Sequence, residues 1–389
     1  MRIAIYVAAA IAAAGAGCAF AQVGDALQRP ALSVKAPQRA VLLAAAAAGQ
    51  RLVAVGERGV VALSDDRGVT WQQAACPVSV SLTMVRFADE RHGVAVGHGG
   101  TVLTTSDAGA SWALRLDGRR LAALAKAAAT TPQALQDAER LMADGPDKPF
   151  MDVVVWDAQR MLAVGAYGLA FYTADGGQTW ASWMGRLPNP KSLHWYVARR
   201  QGNTLLLAGE QGLLARSSDG GATFEALPSP YKGSWFAGEL QANGHAVLAG
   251  LRGNAWRSVD VGNTWSQLAS PTQSAITAVA DDGNGGLWFA TQAGAVLRQQ
   301  GEALVPLNAA PVPMPSALLP QREGPLLALG VAGVVPVAVN TLLTPADFDF
   351  MLRDSRARAL FVSKALLPTI EPLVGTISGA GSLPRLWHL

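Results

Sequence analysis

One eight-residue pattern, S/T-x-D-x-G-x-T/S-W/F, occurs five times in the chain and limits its fold more than any other feature. The copies occupy residues 64–71, 105–112, 173–180, 217–224 and 258–265. Their aspartates are Asp66, Asp107, Asp175, Asp219 and Asp260, which are 41, 68, 44 and 41 residues apart. A nearly constant period of this length indicates a repeat architecture.

The residue types of this motif, the Asp box, are those of a tight hairpin turn. An aspartate carboxylate accepts hydrogen bonds from the N–H groups of its own turn, and glycine supplies a positive φ. The hydroxyl residue closes the turn, and the aromatic ring packs between neighbouring sheets. Five Ca²⁺ sites are the alternative, but each motif offers only one or two of the oxygen ligands that calcium needs. We therefore expect structural turns and no metal site.

A second repeated element, an apolar strand that ends in G-x-x-G, precedes each Asp box. Its first glycines are Gly56, Gly97, Gly165, Gly209 and Gly250, and two further copies without an Asp box begin at Thr291 and Gly330. Seven units of about 40 residues, each with several short strands, match propeller blades of four strands. The sequence therefore predicts an all-β, seven-bladed β-propeller.

The long interval between the second and third Asp boxes indicates an insertion at residues 113–150, where the pattern becomes rich in Ala and Leu. Thr131 is a suitable N-cap with Pro132 at the first helical position, and Gly145 stands where a helix would end. We predict a helical hairpin that projects from one rim between blades 2 and 3. Its expected apolar stripe consists of Leu135, Leu141 and Met142.

The first 21 residues have the pattern of an export signal. Arg2 precedes an apolar run that is too short to span a bilayer, and residues 19–21 form an Ala-x-Ala cleavage site. We expect a periplasmic or secreted protein; the alternative is a lipoprotein anchored through Cys18, although residues 15–18 lack the usual Leu. After cleavage near Ala21, Cys76 is the only cysteine, and a small buried residue is the expected role.

The Asp boxes and the strands ending in G-x-x-G resemble the photosystem II assembly and stability factor family. The resemblance covers about residues 30–335 and is carried by SDDRGVTW, GVAVGHGG, TADGGQTW, GLRGN and the paired PNPKSLHW and SPYKGSWF segments. It implies a non-enzymatic binding or assembly scaffold for a membrane-protein complex or transporter, without a cofactor.

The sequence changes character after Gly333. Residues 331–375 read as strand, helix, strand and resemble an N-terminal fragment of the benzoate–CoA ligase branch of the AMP-dependent synthetases. The phosphate loop with its Lys and the adenylate-binding motifs are missing, so we expect no ligase activity from this fusion-like segment. The predicted divisions are a signal at 1–21, a propeller at 22–335 and a ligase-like fragment at 336–389. We expect a seventh blade cut short to its inner strands, with residues 31–35 supplying one more strand.

Sialidases also carry Asp boxes, so glycoside hydrolysis is the alternative function. Its candidates are residues of the G-x-x-G corners, namely Arg58, Arg252, Glu57, Glu210 and Tyr167. An Arg-Ile-Pro motif is missing near the predicted mature N-terminus, and no carboxylate pair stands out by its spacing.

The candidate binding residues lie where a propeller usually binds ligands, at the mouth of its central channel. In the loops that lead into the innermost strands they are Lys148, Lys191, His194, Trp195, Tyr231, Lys232 and Trp235. In the corners they are Arg58, Tyr167, Gln211 and Arg252. Lysine beside aromatic rings can hold an anionic or peptide partner; the alternative is a solvated lysine beside a core ring. With a net charge of +3 and scattered basic residues, nucleic acid is not an expected partner.

Overall fold

The computed structural model of the chain describes residues 25–307, 312–321 and 326–330, together with the backbone of 359–362 and 385–388. The predicted signal peptide, Cys18 and the predicted helix of the tail lie outside the described residues.

Six four-stranded antiparallel sheets follow one another along the chain, and each is a meander of consecutive strands. Blades 1 to 3 are made of β1 Leu42–Ala48, β2 Arg51–Gly56, β3 Val61–Ser64, β4 Gln72–Gln73, β5 Leu82–Phe87, β6 Gly93–Gly97, β7 Thr101–Thr105, β8 Ala113–Leu116, β9 Phe150–Val155, β10 Met161–Gly165, β11 Ala170–Thr173 and β12 Ala181–Ser182. Blades 4 to 6 are made of β13 Trp195–Gln201, β14 Thr204–Gly209, β15 Leu214–Ser217, β16 Glu225–Ala226, β17 Trp235–Leu240, β18 Ala246–Gly250, β19 Ala255–Ser258, β20 Ser266–Gln267, β21 Ile276–Asp281, β22 Leu287–Thr291, β23 Val296–Gln300 and β24 Ala303–Pro306.

A seventh sheet closes the ring with two strands, β25 Pro315–Leu319 and β26 Leu327–Gly330. The first strand of each sheet is innermost and packs against that of the next sheet, and β25 packs against β1. Ser316 Oγ donates a hydrogen bond to the Leu42 carbonyl at 2.5 Å, joining blade 7 to blade 1. Thr277 Oγ1 joins blade 6 to the Pro315 carbonyl in the same way, at 2.8 Å. The predicted seven-bladed propeller is confirmed, and within the described residues its last blade has two strands.

The prediction that residues 31–35 extend the seventh blade is wrong. The Ala31 N–H donates to the Cys76 carbonyl at 3.0 Å, and the Leu32 carbonyl accepts from Gln73 Nε2 at 3.0 Å. The segment therefore runs along the outer side of blade 1. Upstream, Leu27 is buried and fixes the segment to the connection between blades 1 and 2. Closure does not need it, because β25 reaches β1 directly.

The tail contributes two short strands, β27 Ala359–Val362 and β28 Arg385–His388, which pair in parallel. A parallel pair needs a long crossover connection, whereas the blades are antiparallel hairpins. The tail therefore follows a different topology from the propeller, as expected from its different sequence.

Each Asp box closes the turn between the third and fourth strands of its blade. In blade 1, Ser64 Oγ accepts from the Gly68 N–H at 2.8 Å and donates to Asp66 Oδ1 at 2.8 Å. The same carboxylate accepts from the N–H of Thr70 at 2.8 Å and from its hydroxyl at 2.5 Å. Trp71 Nε1 donates to the Gly68 carbonyl at 3.0 Å. The other four turns repeat the hydroxyl and carboxylate bonds, which is the hairpin predicted from the motif.

The first glycine of each corner is required by a close approach of the backbone. In blade 4, a Cβ atom on Gly209 would lie 2.0 Å from the His194 carbonyl oxygen. In blade 1, a Cβ atom on Gly56 would lie 1.9 Å from the Val41 carbonyl oxygen. The chain that enters each innermost strand crosses directly over this glycine, which holds the two segments together.

The insertion forms a helical hairpin of α1 Gly118–Ala128 and α2 Pro132–Ala143. Thr131 Oγ1 accepts from the Ala134 N–H at 3.1 Å and caps α2 as predicted. The hairpin is part of the core rather than a projection, because Leu121 and Leu141 are buried in the same cluster as Phe150 and Trp180 of blade 3. The predicted stripe is correct only at Leu141. Leu135 and Met142 are 40% and 50% exposed, since Ala138 and Leu141 form the buried face.

The Asp-box carboxylates predict how the stability of the propeller depends on pH. Hydrogen bonds from the hydroxyl and N–H of Thr70 lower the pKa of Asp66 from 3.8 to about 2, and equivalent bonds do the same for Asp175, Asp219 and Asp260. A lowered pKa stabilises the fold above the unfolded value, and this contribution is lost as pH falls through the folded value. The urea concentration at the midpoint of unfolding should therefore decrease as the pH is lowered from about 4 to about 2. The Asp175→Asn variant should have a lower urea midpoint above pH 4, and this midpoint should decrease less as the pH is lowered. An equally steep decrease would contradict the role of the carboxylate.

Candidate binding face and central channel

The topology places the corners and the loops that lead into the innermost strands on one face of the propeller. In each blade the first strand begins beside the end of the second, as the pairs Leu42–Gly56, Trp195–Gly209 and Trp235–Gly250 show. We call this side the corner face. The Asp boxes connect the third and fourth strands at the other ends, so they lie on the opposite side, the Asp-box face.

Four of the predicted binding residues occupy a strained backbone position in the corners. Arg58, Tyr167, Gln211 and Arg252 have φ values of 51°, 54°, 53° and 57°. In blade 2 the equivalent residue is Gly99, with a φ of 68°. Left-handed backbone costs a residue with a side chain about 1 to 2 kcal/mol relative to glycine. Blades 1, 3, 4 and 5 thus keep exposed side chains where glycine would be more stable.

A cluster of cationic and aromatic side chains lies between blades 3 and 5 on the corner face. Lys148 Nζ is 5.5 Å from the centre of the Tyr167 ring, and this ring is 4.9 Å from the His194 ring. The His194 ring is 5.9 Å from that of Tyr196, which is 5.6 Å from that of Phe236. We call these five residues the mouth cluster. The first three were predicted from the sequence, whereas Tyr196 and Phe236 were not, because their sequence pattern is that of ordinary strand residues.

The other predicted loop residues divide into exposed and buried positions. Lys191 and Lys232 are exposed, and the half-buried Tyr231 ring meets Trp235 at 5.4 Å. Trp195 and Trp235 are completely buried as the first residues of β13 and β17. The expectation that these two tryptophans contact a partner is therefore wrong: their rings fill the core beneath the mouth.

The two corner glutamates proposed for glycoside hydrolysis both bind backbone. Glu57 Oε1 accepts from the Val41 N–H at 3.0 Å, and Glu210 Oε2 accepts from the His194 N–H at 3.2 Å. His194 Nδ1 also lies 2.9 Å from Glu210 Oε2. Each carboxylate thus connects a corner to the innermost strand of its own blade, in blades 1 and 4. Glu57 and Glu210 make the same hydrogen bond in their own blades, which explains why both corners begin with glutamate.

The central channel is a cavity of about 520 Å³ lined by all seven innermost strands. Each of these strands has a β-bulge after its first residue, and the bulged Tyr196 and Phe236 line the cavity. One wall, from blades 6, 7 and 1, is built from small apolar residues: Ala44, Ala46, Ala278, Ala280 and Ala317. The charged residues of the lining are Arg86, Asp152, Arg199, Arg200 and Glu239 from blades 2 to 5 and Asp281 from blade 6. The four exposed corner residues are not among those that line this cavity.

Asp152 of β9 is completely buried and connects three blades. It accepts from Arg86 Nε of blade 2 at 3.1 Å, and from the N–H groups of Val153 at 2.8 Å and of Ala198 in blade 4 at 2.9 Å. Arg199 Nη1 also donates to it. Burial raises the pKa of Asp152, but Arg199, Arg86 and the N–H groups outweigh burial and hold it below 3.8. This network was not predicted from the sequence, although a lone aspartate in the apolar strand FMDVVV was a visible signal.

Replacement of Asp152 should destabilise the propeller strongly. The Asp152→Ala variant would leave two arginines facing each other without their shared carboxylate, a loss of about 3 to 5 kcal/mol in the free energy of unfolding. A matched control is Asp65→Ala, because the half-exposed pair of Asp65 with Arg51 should contribute less than about 1 kcal/mol. Urea unfolding of both variants measures the difference. Equal losses in the free energy of unfolding would show that the buried carboxylate stabilises the propeller no more than the exposed pair does.

Comparisons with known proteins agree with this architecture. Two structures of YCF48 are similar to the chain. The structure bound to a D1 peptide has a TM-score of 0.52 and 17% identity, and it covers 73% of this chain and 88% of that one. The structure from Cyanidioschyzon merolae has a TM-score of 0.51 and 15% identity, and it covers 71% of this chain and 88% of that one. The WD40 repeats of RRP9 give a TM-score of 0.53 with 9% identity over 75% and 86%. At these identities the likeness establishes the fold, a β-propeller. No family model matches the chain.

The curated relatives match a short segment only. Benzoate–CoA ligase of Thauera aromatica is 49% identical over 57 residues, which are 15% of this chain and 10% of that enzyme. The 4-hydroxybenzoate–CoA/benzoate–CoA ligase of Rhodopseudomonas palustris is 41% identical over 68 residues, or 13% of its length. The chain therefore spans about a tenth of the length of these enzymes, in agreement with the ligase-like fragment predicted from the sequence. Within the described residues, no helix is long and apolar enough to cross a membrane.

Proposed function

We propose that the protein is an exported, non-enzymatic binding propeller of the assembly-factor type, which holds a segment of a membrane-associated protein complex or transporter on its corner face. The observation that carries the proposal is the set of four exposed side chains in left-handed backbone, Arg58, Tyr167, Gln211 and Arg252. Their backbone strain lowers stability, so a contribution to binding would explain why they are not glycine.

The mouth cluster supports the same face. Lys148 is buried and pairs with Asp147 and Asp144, so Tyr167 is the exposed member of the cluster, and rings with polar edges are frequent binding determinants at protein interfaces. Arg58 of blade 1 and Arg252 of blade 5 add positive charge at two further corners of this face, which favours a segment that carries carboxylates. A propeller of the same fold, YCF48, has been solved with a peptide bound.

Site-specific photocrosslinking tests the face directly. A photoreactive residue at position 167 should capture a reproducible protein partner in cells. The matched control is position 69 on the Asp-box face, where Val69 is 81% exposed. Capture from position 69 alone, or from neither position in any growth condition, would contradict the proposal.

Glycine substitutions separate binding from stability. The Tyr167→Gly and Arg252→Gly variants should leave the melting temperature unchanged or raise it by about 2 to 4 °C, because they relieve the left-handed strain. The yield of partner crosslinked from position 58 should nevertheless fall at least about tenfold, equivalent to about 1.4 kcal/mol. Arg67→Gly is the control, since Arg67 has a φ of 63° in an Asp box on the opposite face. An unchanged yield in both corner variants would remove the corners from the binding surface.

The remaining parts of the proposal have their own tests. Cleavage near Ala21 would show export, and loss of membrane attachment in Cys18→Ala would instead show a lipoprotein anchor. Glycoside hydrolysis, the alternative function, predicts turnover of fluorogenic glycosides or sialosides that is abolished in Glu210→Gln. Because Glu57 and Glu210 both accept backbone hydrogen bonds, we expect no turnover.

A further inference from the structure

The first described residues of the chain dock on the corner face as a bound peptide would. We call residues 25–34 the strap; they lie against the connection that leads from blade 1 into blade 2. The Ser79 N–H donates to the Ala26 carbonyl at 2.8 Å, and the Cys76 carbonyl accepts from the Ala31 N–H at 3.0 Å. A short segment of chain can therefore bind at a blade boundary through backbone hydrogen bonds, which give affinity without a particular side chain.

Two side chains complete the docking of the strap. The Gln73 amide uses both of its ends, because Oε1 accepts from the Val34 N–H at 2.7 Å and Nε2 donates to the Leu32 carbonyl at 3.0 Å. Leu27 is 5% exposed and packs against the corner at Gly99. The docking site thus consists of a carbonyl and an N–H in the connection, a glutamine in the outermost strand and a small residue in the next corner.

The connection between blades 5 and 6 repeats the sequence of this docking site. Residues 71–79 read WQQAACPVS, and residues 265–273 read WSQLASPTQ when aligned on the Asp-box tryptophan. The backbone follows the same path in both places: a Cβ atom on Gly59 would lie 2.1 Å from the carbonyl oxygen of the connection, and one on Gly253 would lie 2.0 Å from it. The alignment pairs Gln73 with Gln267, Cys76 with Ser270, and Ser79 with Gln273.

This second docking site is uncovered within the described part of the chain. The Ser270 carbonyl and the Gln273 N–H make no hydrogen bond with any described residue. Gln267 is exposed, and among the described residues its amide reaches Asn254 Oδ1 alone, at 3.3 Å. Cys76 is 4% exposed beneath the strap, whereas its counterpart Ser270 is half-buried. The groups that hold the strap on blade 1 are therefore open on blade 5.

The two corners beside this connection indicate what kind of segment it suits. The exposed Ala293 stands in the blade 6 corner at the position that Gly99 has in blade 2, so a small residue again borders the site. Arg252, in the blade 5 corner, adds a positive charge on the other side. The connection between blades 4 and 5 differs at both points, because Ala226 replaces the glutamine and Arg252 itself replaces the small residue.

We propose that the groove formed by residues 267–273 and Ala293 binds an extended segment of the protein partner, in the way that the strap binds to blade 1. The segment would carry a large apolar residue followed four residues later by a small one, as Leu27 and Ala31 are in the strap, and a carboxylate that pairs with Arg252. The inference rests on the proposed function, because it states how the corner face holds its partner.

Fluorescence anisotropy of the full chain tests the groove with a labelled peptide of residues 25–34. The strap is tethered at a high effective concentration and keeps the blade 1 site occupied, so the added peptide reports the second site. Gln267→Ala should weaken binding at least about fivefold, because the peptide loses the two hydrogen bonds that the strap makes with Gln73. Gln72→Ala is the matched control, since Gln72 is exposed and makes no hydrogen bond with the strap.

Two further measurements locate the bound peptide. The Gln273 amide should exchange with solvent at least about tenfold more slowly when the peptide is bound, because it gains an acceptor. A peptide carrying L27D should bind at least about fivefold more weakly, because it lacks the apolar anchor. Unchanged affinity in Gln267→Ala, unchanged exchange at Gln273, or no binding at about 1 mM would overturn the groove.

The remaining outcomes separate the groove from the proposed function and from a second copy of the chain. Capture of a partner from position 167, together with no peptide binding, would remove the groove and leave the proposed function standing. Sedimentation of the full chain should show a monomer. Self-association that Gln267→Ala abolishes would overturn the partner segment in favour of the strap of a second copy.

Discussion

The contact between β25 and β1 is the constraint on which the rest of the propeller depends. A ring of sheets removes its open edges only when the last blade meets the first. Here hydrogen bonds from Ser316 to the Leu42 carbonyl and from Gln321 to the Arg67 carbonyl accompany an apolar seam in which Leu329 packs against Leu42 and Ala54. Closure uses both described strands of blade 7, because β26 also packs against β1, and these two strands suffice to complete the ring. The channel and both faces acquire their shape from this closure.

Two kinds of interaction hold neighbouring blades together inside the ring. Apolar layers fill the space between neighbouring sheets, as the wholly buried Trp195 and Trp235 show. Asp152 adds a charged tie across blades 2, 3 and 4, and its four donors compensate the desolvation of the carboxylate. Arg199 also lies 3.4 Å from Glu239 of blade 5, so the charged network extends across blades 2 to 5.

Most of the blade architecture could be predicted from the sequence because its signals are local. The Asp-box turns, the corners and the N-cap at Thr131 each depend on residues within one turn of backbone. The contributions that depend on distant segments could not be predicted. Arg86, Asp152, Arg199 and Glu239 come from four consecutive blades and meet only because the innermost strands of neighbouring blades pack side by side. The placement of residues 31–35 failed for the same reason: hydrogen-bonding partners along blade 1 compete with blade 7, and no local pattern decides between them.

Residues 42–307, 312–321 and 326–330 form one closed ring, and hydrogen exchange of the backbone amides measures closure directly. Amides of core strands exchange slowly because they open only in large-scale unfolding, whereas an undocked strand exchanges at nearly the rate of an open chain. If β25 seals the ring, the amides of Ala317 and Leu318 should be protected to within about tenfold of those in β1 and β21. Rapid exchange throughout β25 beside a protected β21 would contradict closure between blades 7 and 1.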